Sequence, residues 1–458
     1  MAEKEIYFRD RIATSDDQGR RRWVFAKLPT GKYTTRRNVV ALILLTLFFV
    51  LPHIKIQGEP FLLLDILNRH FILFGAIFWP QDTYLLGITM LTLVVFIILF
   101  TVIYGRLWCG WACPQTIFME IIFRRIETWI EGGPAKQKEA KNHKTLSFYI
   151  KRLFKYFVFF TIIFLSVNNF ISYFISFDGL LKAWGEGFAN NNIALGVLIA
   201  GTTAGMFIYT WFREQACTIV CPYGRLQGSL VDNDTIIVAY DYKRGEPRGK
   251  NQQGDCIDCK NCVAVCPTGI DIRNGTQLEC VNCTACIDAC DSVMEKVSKP
   301  KGLIRYTSEK GIKEGIKLHF TGRMAFYTVV LGALIIFLGF LMFSRTEMET
   351  TILRTPGMLY QAQGTDSTSN LYNYKIVNKS RKELNLEIKL VEPSDGIIKM
   401  VGHSPIAKPE SATEGVFFVI LPNNKLTSHK IGVKFHIILD GKIMEEQTAS
   451  FLTPKTNN

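Results

Sequence analysis

Two runs of four cysteines constrain this chain more than any other feature. The first run is Cys256-x2-Cys259-x2-Cys262-x3-Cys266, and the second, Cys280-x2-Cys283-x2-Cys286-x3-Cys290, repeats its spacing. Eight thiols in this double pattern are typical of a segment that holds a pair of [4Fe–4S] clusters. Two-residue gaps allow a tight loop to turn three sulfurs toward one cubane, so the fourth ligand must come from elsewhere.

The spacing also predicts which thiols share a cluster, because the fourth cysteine of each run serves the other cluster in such pairs. We expect one cluster at Cys256, Cys259, Cys262 and Cys290, and the second at Cys280, Cys283, Cys286 and Cys266. Zinc sites usually show paired C-x2-C knuckles instead of two four-cysteine runs. Disulfides need an oxidising compartment, whereas the topology predicted below places this segment in the cytoplasm.

The composition indicates a membrane protein with additional domains outside the bilayer. Of 458 residues, 48% are hydrophobic and 33 are Phe, and the formal net charge is +13. A basic excess often indicates nucleic-acid binding, but here Lys and Arg cluster beside apolar segments, as the positive-inside rule describes. We therefore predict contact with the lipid bilayer and no nucleic-acid partner.

Five apolar segments predict a helical bundle of about five spans, since about 20 apolar residues cross a bilayer. They are residues 38–51, 83–104, 153–174, 193–212 and 324–343. A basic tail, residues 1–37, precedes the first span and is predicted to be cytoplasmic, as are the cysteine runs. This places the chain in a bacterial cytoplasmic (inner) membrane with its C-terminus outside. Residues 61–79 are predicted to be interfacial or re-entrant, and His70 is there a weak candidate metal ligand.

The domain boundaries follow changes in composition. Spans one to four fill residues 38–231, a two-cluster ferredoxin-like insert residues 232–322, and the fifth span residues 323–345. Within the insert, residues 232–253 are predicted to be a polar linker and residues 296–317 a basic connection. Residues 346–458 alternate apolar and polar residues in segments 371–377, 384–390, 415–421, 431–439 and 443–451. They predict a small antiparallel β-sandwich, a binding or scaffolding module in which His403, His429 and His436 are the only candidate metal ligands.

The remaining four cysteines form an internal repeat. Cys109-x3-Cys113-Pro114 and Cys217-x3-Cys221-Pro222 each follow an even-numbered span. On a helix, residues i and i+4 face the same way, and Pro ends or kinks the helix. If the two helices are neighbours, the four thiols converge at the membrane boundary. They could bind Cu(I), which soft thiolates select, serve as a dithiol relay, hold a third metal centre, or only support packing.

Longer motifs carry a resemblance to a known family. The residues concerned are 104–116 (Tyr-Gly-Arg-Leu-Trp-Cys-Gly-Trp-Ala-Cys-Pro-Gln-Thr), 213–215 with Cys217, Cys221 and Tyr223, 244–249 (Arg-Gly-Glu-Pro-Arg-Gly), and 256–291. Together they resemble the cytochrome c oxidase accessory protein family, called CcoG, FixG or RdxA, over nearly the whole chain. The resemblance implies a C-terminal immunoglobulin-like domain and two [4Fe–4S] clusters.

The resemblance also implies a function. Members of this family are thought to reduce Cu(II) to Cu(I) for the assembly of cbb3-type oxidase, so partners among oxidase subunits or assembly factors are expected. Cys109, Cys113, Cys217 and Cys221 carry over as candidate copper-handling or redox residues. Two alternatives stay open: a NapH-like quinol dehydrogenase subunit, which shares the C-x3-C-P pairs, and an assembly scaffold without chemistry. The sequence leaves the electron donor and a homo-oligomeric state undetermined.

Overall fold

The computed structural model describes most of the chain. The described residues are 13–16, 18–56, 58–66, 70–73, 76–78, 83–142, 145–186, 192–250, 252–316, 322–344, 348–357, 360–364, 366–380, 382–402, 405–409, 411–426 and 428–453. The side chain of His70 and the whole of His403 lie outside this part. Two compact units are found, one of residues 1–68, 72–75 and 86–338, the other of residues 69–71, 76–85 and 339–458. All twelve cysteines belong to the first unit.

Within the described residues, five helices are long and apolar enough to cross a membrane, as predicted. The candidate spans are Lys32–His53, Gly87–Tyr104, Leu146–Ile175, Asn192–Phe212 and Met324–Met342. Shorter helices are Leu107–Trp111, Pro114–Thr116, Arg124–Glu131, Pro134–Asn142, Phe177–Gly185, Pro222–Leu230, Tyr242–Gly245, Asn261–Ala264, Ala285–Lys296 and Glu309–Glu314. Most apolar side chains of the spans face outward, as expected where lipid is the solvent.

The first span begins earlier than the apolar run alone indicates. Its helix, Lys32–Val50, includes basic residues that the prediction assigned to a cytoplasmic tail. The chain before it is also bound to the rest of the unit, since the backbone N–H of Lys27 donates a 2.8 Å hydrogen bond to the carbonyl of Ala264. The described part of the tail therefore packs onto the ferredoxin-like segment, and its cytoplasmic location stays a prediction.

Residues 61–79 contain three short strands, Leu62–Asp65, His70–Leu73 and Ala76–Phe78. Two further short strands, Lys55–Ile56 and Glu59–Pro60, pair just before them. Interruption of the apolar run by Asp65 and Asn68 left too few consecutive apolar residues for a spanning helix. Their position at a membrane interface stays a prediction.

The predicted polar linker is in part a buried strand. Ile237–Tyr240 pairs antiparallel with Ile304–Thr307, and all four side chains of the first strand are buried. The second strand lies in the segment that we had predicted to be only a basic connection. Both predictions are corrected because the flanking charges obscured two short apolar runs, each of which packs against the cysteine loops.

The C-terminal unit is a two-sheet sandwich, as predicted. One sheet orders the strands Ile397–Met400, Ser411–Pro422, Ser367–Asn378 and Met348–Arg354, with Gln361–Gln363 beside Ser367–Asn378. The other orders Ile406–Ala407, Leu384–Glu392, Lys430–Leu439 and Lys442–Leu452. Every predicted strand is present, and alternate side chains such as Tyr372, Phe417 and Phe435 are fully buried between the sheets. Asp440 and Gly441, both with positive φ, form the two-residue turn typical of a tight hairpin.

Candidate functional site

The two ferredoxin-type runs surround two small cavities, and each cavity has its own set of four thiols. One is lined by Cys256, Cys259, Cys262 and Cys290, together with Tyr240, Arg273 and Leu303. The other is lined by Cys266, Cys280, Cys283 and Cys286, and also by Cys262. We call Cys256, Cys259, Cys262 and Cys290 the first ferredoxin set, and Cys266, Cys280, Cys283 and Cys286 the second ferredoxin set. The last cysteine of each run lies with the first three of the other run, which is the crossed arrangement that the spacing predicts.

Backbone conformation explains how each loop turns its sulfurs inward. In the first loop Asp258 and Lys260 have positive φ angles of 54° and 56°, and in the second loop Asn282 and Thr284 have 53° and 65°. These are equivalent positions in the two runs, one before and one after the second cysteine. Alternation of left- and right-handed residues points successive N–H groups into one concavity, an arrangement found at many iron–sulfur sites.

The thiols of both sets lie in an apolar environment. Burial, with the neighbouring thiols as a secondary cause, raises the pKa of Cys280 and of Cys290 to about 12. Without a cation these thiols are therefore protonated at neutral pH, and iron binding would have to release their protons. In the described part of the chain no three Cys, His, Asp or Glu side chains are close enough to hold a single metal ion. Four thiols around a cavity instead fit a cubane, whose four irons keep the sulfurs farther apart.

The two C-x3-C-P segments have the same unusual local structure. Cys109 lies in the helix Leu107–Trp111, but Cys113 is extended and precedes the helix Pro114–Thr116. Cys217 lies in the π-helix Ala216–Val220, and Cys221 is likewise extended before the helix Pro222–Leu230. The expectation of both thiols on one regular helix face is therefore wrong, because Pro occupies the first position of a new helix, where it is favoured. The π-helices Ile117–Phe123 and Ile208–Phe212 flank the segments; such π turns are frequent at functional sites.

The four C-x3-C-P thiols converge, and we call this group the thiol site. Cys109 Sγ contacts Oε1 of Gln227 at 3.0 Å, on the helix that follows Cys221. Gln115, just after Cys113, donates a 3.4 Å bond to the carbonyl of Arg213, just before the second segment. Burial first, then the other three thiols, raises the pKa of Cys217 to about 12. The two segments are thus neighbours, which is the condition under which the sequence predicts that the four thiols converge.

The thiol site packs directly against the second ferredoxin set. Cys109 joins an apolar cluster with Val281 and Cys283. Gly110 is so close to the second loop that a Cβ at this position would lie 2.5 Å from the carbonyl oxygen of Val281. On the other side of Cys109, Gly105 has a φ of +54° and ends the span Thr83–Tyr104 in the left-handed cap conformation that favours glycine. Glycines at these places let the motif touch the loop.

A buried ion-pair network lies beside Cys217. Glu214 is paired with Arg21 at 3.0 Å, and Glu127 is paired with Arg213 at 2.9 Å and Lys155 at 3.2 Å. Burial alone would raise the pKa of Glu127, but the charges of Arg213 and Lys155 outweigh it and lower the pKa to about 2. Nearby, the side chain of Arg124 is only 4% exposed and pairs with Glu120 at 3.2 Å. These ion pairs connect the second C-x3-C-P segment to Arg21 and, through Glu127, to the helix Arg124–Glu131.

Several residues of the site escaped the sequence reasoning. Arg21 and Arg37 look like ordinary positive-inside residues, yet both are bonded to the site. Gln227 and Tyr306 lie outside every cysteine motif, and no pattern in the sequence indicates them. Arg106 donates a hydrogen bond to the carbonyl of Leu278, just before Cys280, and the motif that precedes Cys109 does indicate it.

Family models and known proteins agree on what this chain is similar to. A "4Fe-4S dicluster domain" model matches residues 212–253 and 246–309, and a "4Fe-4S binding domain" model matches residues 86–132. A model of the "IG-like fold at C-terminal of FixG" matches residues 338–454. The protein RdxB of Cereibacter sphaeroides is 32% identical over an alignment of 434 residues that covers 89% of this chain and 90% of RdxB. The chain belongs to the FixG/RdxA family.

Two further relatives of the FixG/RdxA family match over shorter stretches. RdxA of Cereibacter sphaeroides is 32% identical over 82% of this chain and 83% of its own length. The nitrogen fixation protein FixG of Rhizobium meliloti is 31% identical over 67% of this chain and 61% of its own length. The predicted fold class is thereby confirmed: a multi-domain membrane protein with 4Fe–4S binding domains and a C-terminal immunoglobulin-like sandwich. The cluster number and each ligand assignment stay predictions.

Proposed function

We propose that this protein transfers single electrons at the membrane and reduces Cu(II) to Cu(I), in support of maturation of a cbb3-type cytochrome c oxidase. One observation carries the proposal. The thiol site, a group of soft ligands, lies in van der Waals contact with the loop that carries Cys280 and Cys283. An electron that reaches the second ferredoxin set therefore has a short, water-poor path to the thiols.

The residues of the two ferredoxin sets fit the groups that this function needs. Bound iron–sulfur clusters supply one-electron chemistry, and Cu(II) takes up one electron to become Cu(I). The chain's own part is to hold the sulfurs, to exclude water from the buried loops, and to offer copper a site of soft ligands. Cuprous ions prefer thiolates, so Cys109, Cys113, Cys217 and Cys221 are proposed as the place where electrons leave toward copper.

The proposed topology follows from the distribution of charge. Lys and Arg concentrate before the first span and around the cysteine segments, which by the positive-inside rule puts the N-terminus and clusters in the cytoplasm. The sandwich then lies outside a bacterial inner membrane. There it would be available to oxidase subunits or assembly factors.

Copper reduction by purified protein tests the proposal. We expect protein with intact clusters, reduced by dithionite and then freed of reductant, to turn Cu(II) into a chelatable Cu(I) complex. The double variant Cys217→Ser/Cys221→Ser should lose most of this rate. Thr218→Ser, which changes a residue between the two cysteines without removing a thiol, is the matched control. Equal rates in the double variant and the wild type would refute the role of this pair.

A second candidate, quinol oxidation as in NapH-like proteins, is favoured by one further feature. An open groove of about 590 Å³ beside Cys109 is lined by Phe100, Tyr104, Trp108 and Trp111, among other apolar residues. It opens where the second span ends, so a membrane quinol could reach it. Cluster reduction by a short-chain quinol, followed by absorbance, distinguishes this candidate: copper reduction without any quinol-dependent reduction would eliminate it.

A further inference from the structure

The thiol site is the third of three cysteine tetrads in this chain. The twelve cysteines divide without remainder into the two ferredoxin sets and the set of Cys109, Cys113, Cys217 and Cys221. We infer that this third set holds a [4Fe–4S] cluster of its own. The inference rests on the proposed electron-transfer function. It makes the four thiols ligands of a cluster that passes electrons to copper, in place of direct copper ligands.

The two C-x3-C-P segments supply the four thiols symmetrically. In each, one cysteine lies in a helical turn and the next is extended before a proline that starts a new helix. The bond between Cys109 and Gln227, which is fully buried, brings the first segment onto the helix after the second. Each pair is thus presented from a short turn between two helices, which suits a cluster that bridges two segments.

In the part of the chain that the structure describes, the thiol site does not have the close donor group of a single-ion site. A single ion would need three or four donors in close contact, and no such group of Cys, His, Asp and Glu exists in the part of the chain that the structure describes. The two ferredoxin sets likewise contain no single-ion group, although their sequence pattern is that of [4Fe–4S] ligands. The third tetrad therefore resembles the ferredoxin sets in the type and number of its donors, and a cubane takes four thiolates from separate segments.

The comparison with family models supports the same conclusion independently. Residues 86–132 match a model described as a 4Fe-4S binding domain, and the only cysteines in that range are Cys109 and Cys113. Two thiols cannot complete the four ligands of such a cluster. Cys217 and Cys221 can supply the two missing ligands, because their thiols converge with those of Cys109 and Cys113.

The surroundings also suit a cluster. A cubane with four thiolates carries net negative charge, and the guanidinium of Arg106 acts on Cys109 from a buried position. Trp111, two residues after Cys109, donates through Nε1 a 3.0 Å bond to Tyr306, whose hydroxyl contacts the carbonyl of Asn282 in the second ferredoxin loop at 3.4 Å. The third site is thus connected to the second by a chain of two hydrogen bonds through Trp111 and Tyr306.

Iron and sulfide analysis of the full-length protein tests the inference. After anaerobic purification and reconstitution we expect about 12 iron and about 12 sulfide per chain, and about 8 of each in Cys217→Ser/Cys221→Ser, because each [4Fe–4S] cluster has four of each atom. Cys280→Ser/Cys283→Ser is the matched control: it should also lose about 4 irons, but a different EPR signal should disappear on reduction.

The outcomes separate the inference from the function on which it rests. About 8 irons in the wild type, unchanged in Cys217→Ser/Cys221→Ser, would overturn the third cluster and leave the proposed function intact. Copper in place of iron at the thiol site would overturn it as well. Fewer than about 8 irons would refute the two ferredoxin clusters too.

Alkylation of the wild-type protein covers the case in which a variant does not fold. We expect maleimide to modify Cys109, Cys113, Cys217 and Cys221 only after iron is removed by a chelator, as read by peptide mass spectrometry. Free modification of these four before chelation, with the eight ferredoxin thiols protected, would overturn the inference. Protection of all twelve would support it.

Discussion

Nη1 of Arg37 donates a 2.8 Å hydrogen bond to the carbonyl oxygen of Cys283. The arginine is on the first membrane helix, and the cysteine is a predicted cluster ligand. Close by, Oδ2 of Asp288 accepts 2.7 Å hydrogen bonds from both the backbone N–H and the hydroxyl of Thr34, at the start of the same helix. A carboxylate at this end of a helix is favoured by the helix dipole. The membrane helix and the second ferredoxin loop therefore hold each other in place.

Arg37→Ala should loosen the second ferredoxin loop. The substitution removes the charged one of two donors to this carbonyl, which also accepts a 2.6 Å bond from the Thr284 hydroxyl, and a hydrogen bond of this kind contributes about 1.5–3 kcal/mol. We expect faster loss of iron to a chelator such as bipyridyl, measured by absorbance. Arg36→Ala is the control, because Arg36 is exposed one residue earlier on the same helix. Equal release rates in the two variants would show that this bond does not support the loop.

Gly110→Ala should separate the thiol site from the second ferredoxin loop. A Cβ there would lie 2.5 Å from the carbonyl oxygen of Val281 and 2.8 Å from the carbonyl carbon of Asn282. Backbone atoms cannot rotate away as a side chain can, so we expect a loss of about 1–3 kcal/mol, typical of overpacking. Thermal unfolding in detergent and the rate of copper reduction should both fall.

Gly196→Ala is the matched control for this change. Gly196 lies within the helix Asn192–Phe207, and a Cβ there meets no atom within 4 Å. Since Ala is favoured over Gly inside a helix, this variant should be unchanged or slightly more stable. If Gly110→Ala and Gly196→Ala have the same melting temperature and the same rate of copper reduction, the close approach at Gly110 does not position the first C-x3-C-P segment.

The ion pairs of Glu127 predict a particular dependence of stability on pH. Its pKa is lowered to about 2 in the folded protein, against about 4.3 for an unperturbed glutamate. A lowered pKa stabilises the fold above the unperturbed value, and this contribution is lost as the pH falls toward 2. Glu127→Gln should therefore be less stable at neutral pH, by up to about 3 kcal/mol, because buried Arg213 and Lys155 keep only Glu214 and Glu131 as partners.

The measurement is the difference in melting temperature between wild type and Glu127→Gln at a series of pH values. We expect a constant difference above about pH 5 that narrows below about pH 4. Glu131→Gln, at the less buried partner of Lys155, should give a smaller difference at neutral pH. A gap between wild type and Glu127→Gln that does not change with pH would show that the carboxylate charge is not the stabilising feature.

The cysteine runs and the sandwich could be predicted because each has a local signature. The spacing of the cysteines predicts that Cys256 and Cys290 share a cavity, as they do. The alternation of apolar and polar residues predicts that Tyr372 and Phe435 are buried, as they are. The thiol site could be predicted only in part, since its convergence depended on the neighbourhood of two helices far apart in sequence. The hydrogen bond of Arg37 could not be predicted. The sequence pattern of basic residues beside a span does not distinguish a side chain exposed to water from one that binds a buried carbonyl.

Deletion of residues 346–458 tests whether the sandwich has a role of its own. All twelve cysteines belong to the other unit, so we expect the shortened protein to keep its iron and to reduce Cu(II) at close to the wild-type rate. If the sandwich binds an oxidase subunit, cells that carry the shortened protein should lose active cbb3-type oxidase, as measured by oxygen uptake and haem staining of membranes. A substitution on the outer surface, Lys389→Ala, which changes only an exposed side chain, controls for expression. Normal oxidase activity in the deletion strain would refute the scaffolding role, and loss of copper reduction in the purified deletion protein would show that the sandwich takes part in electron transfer.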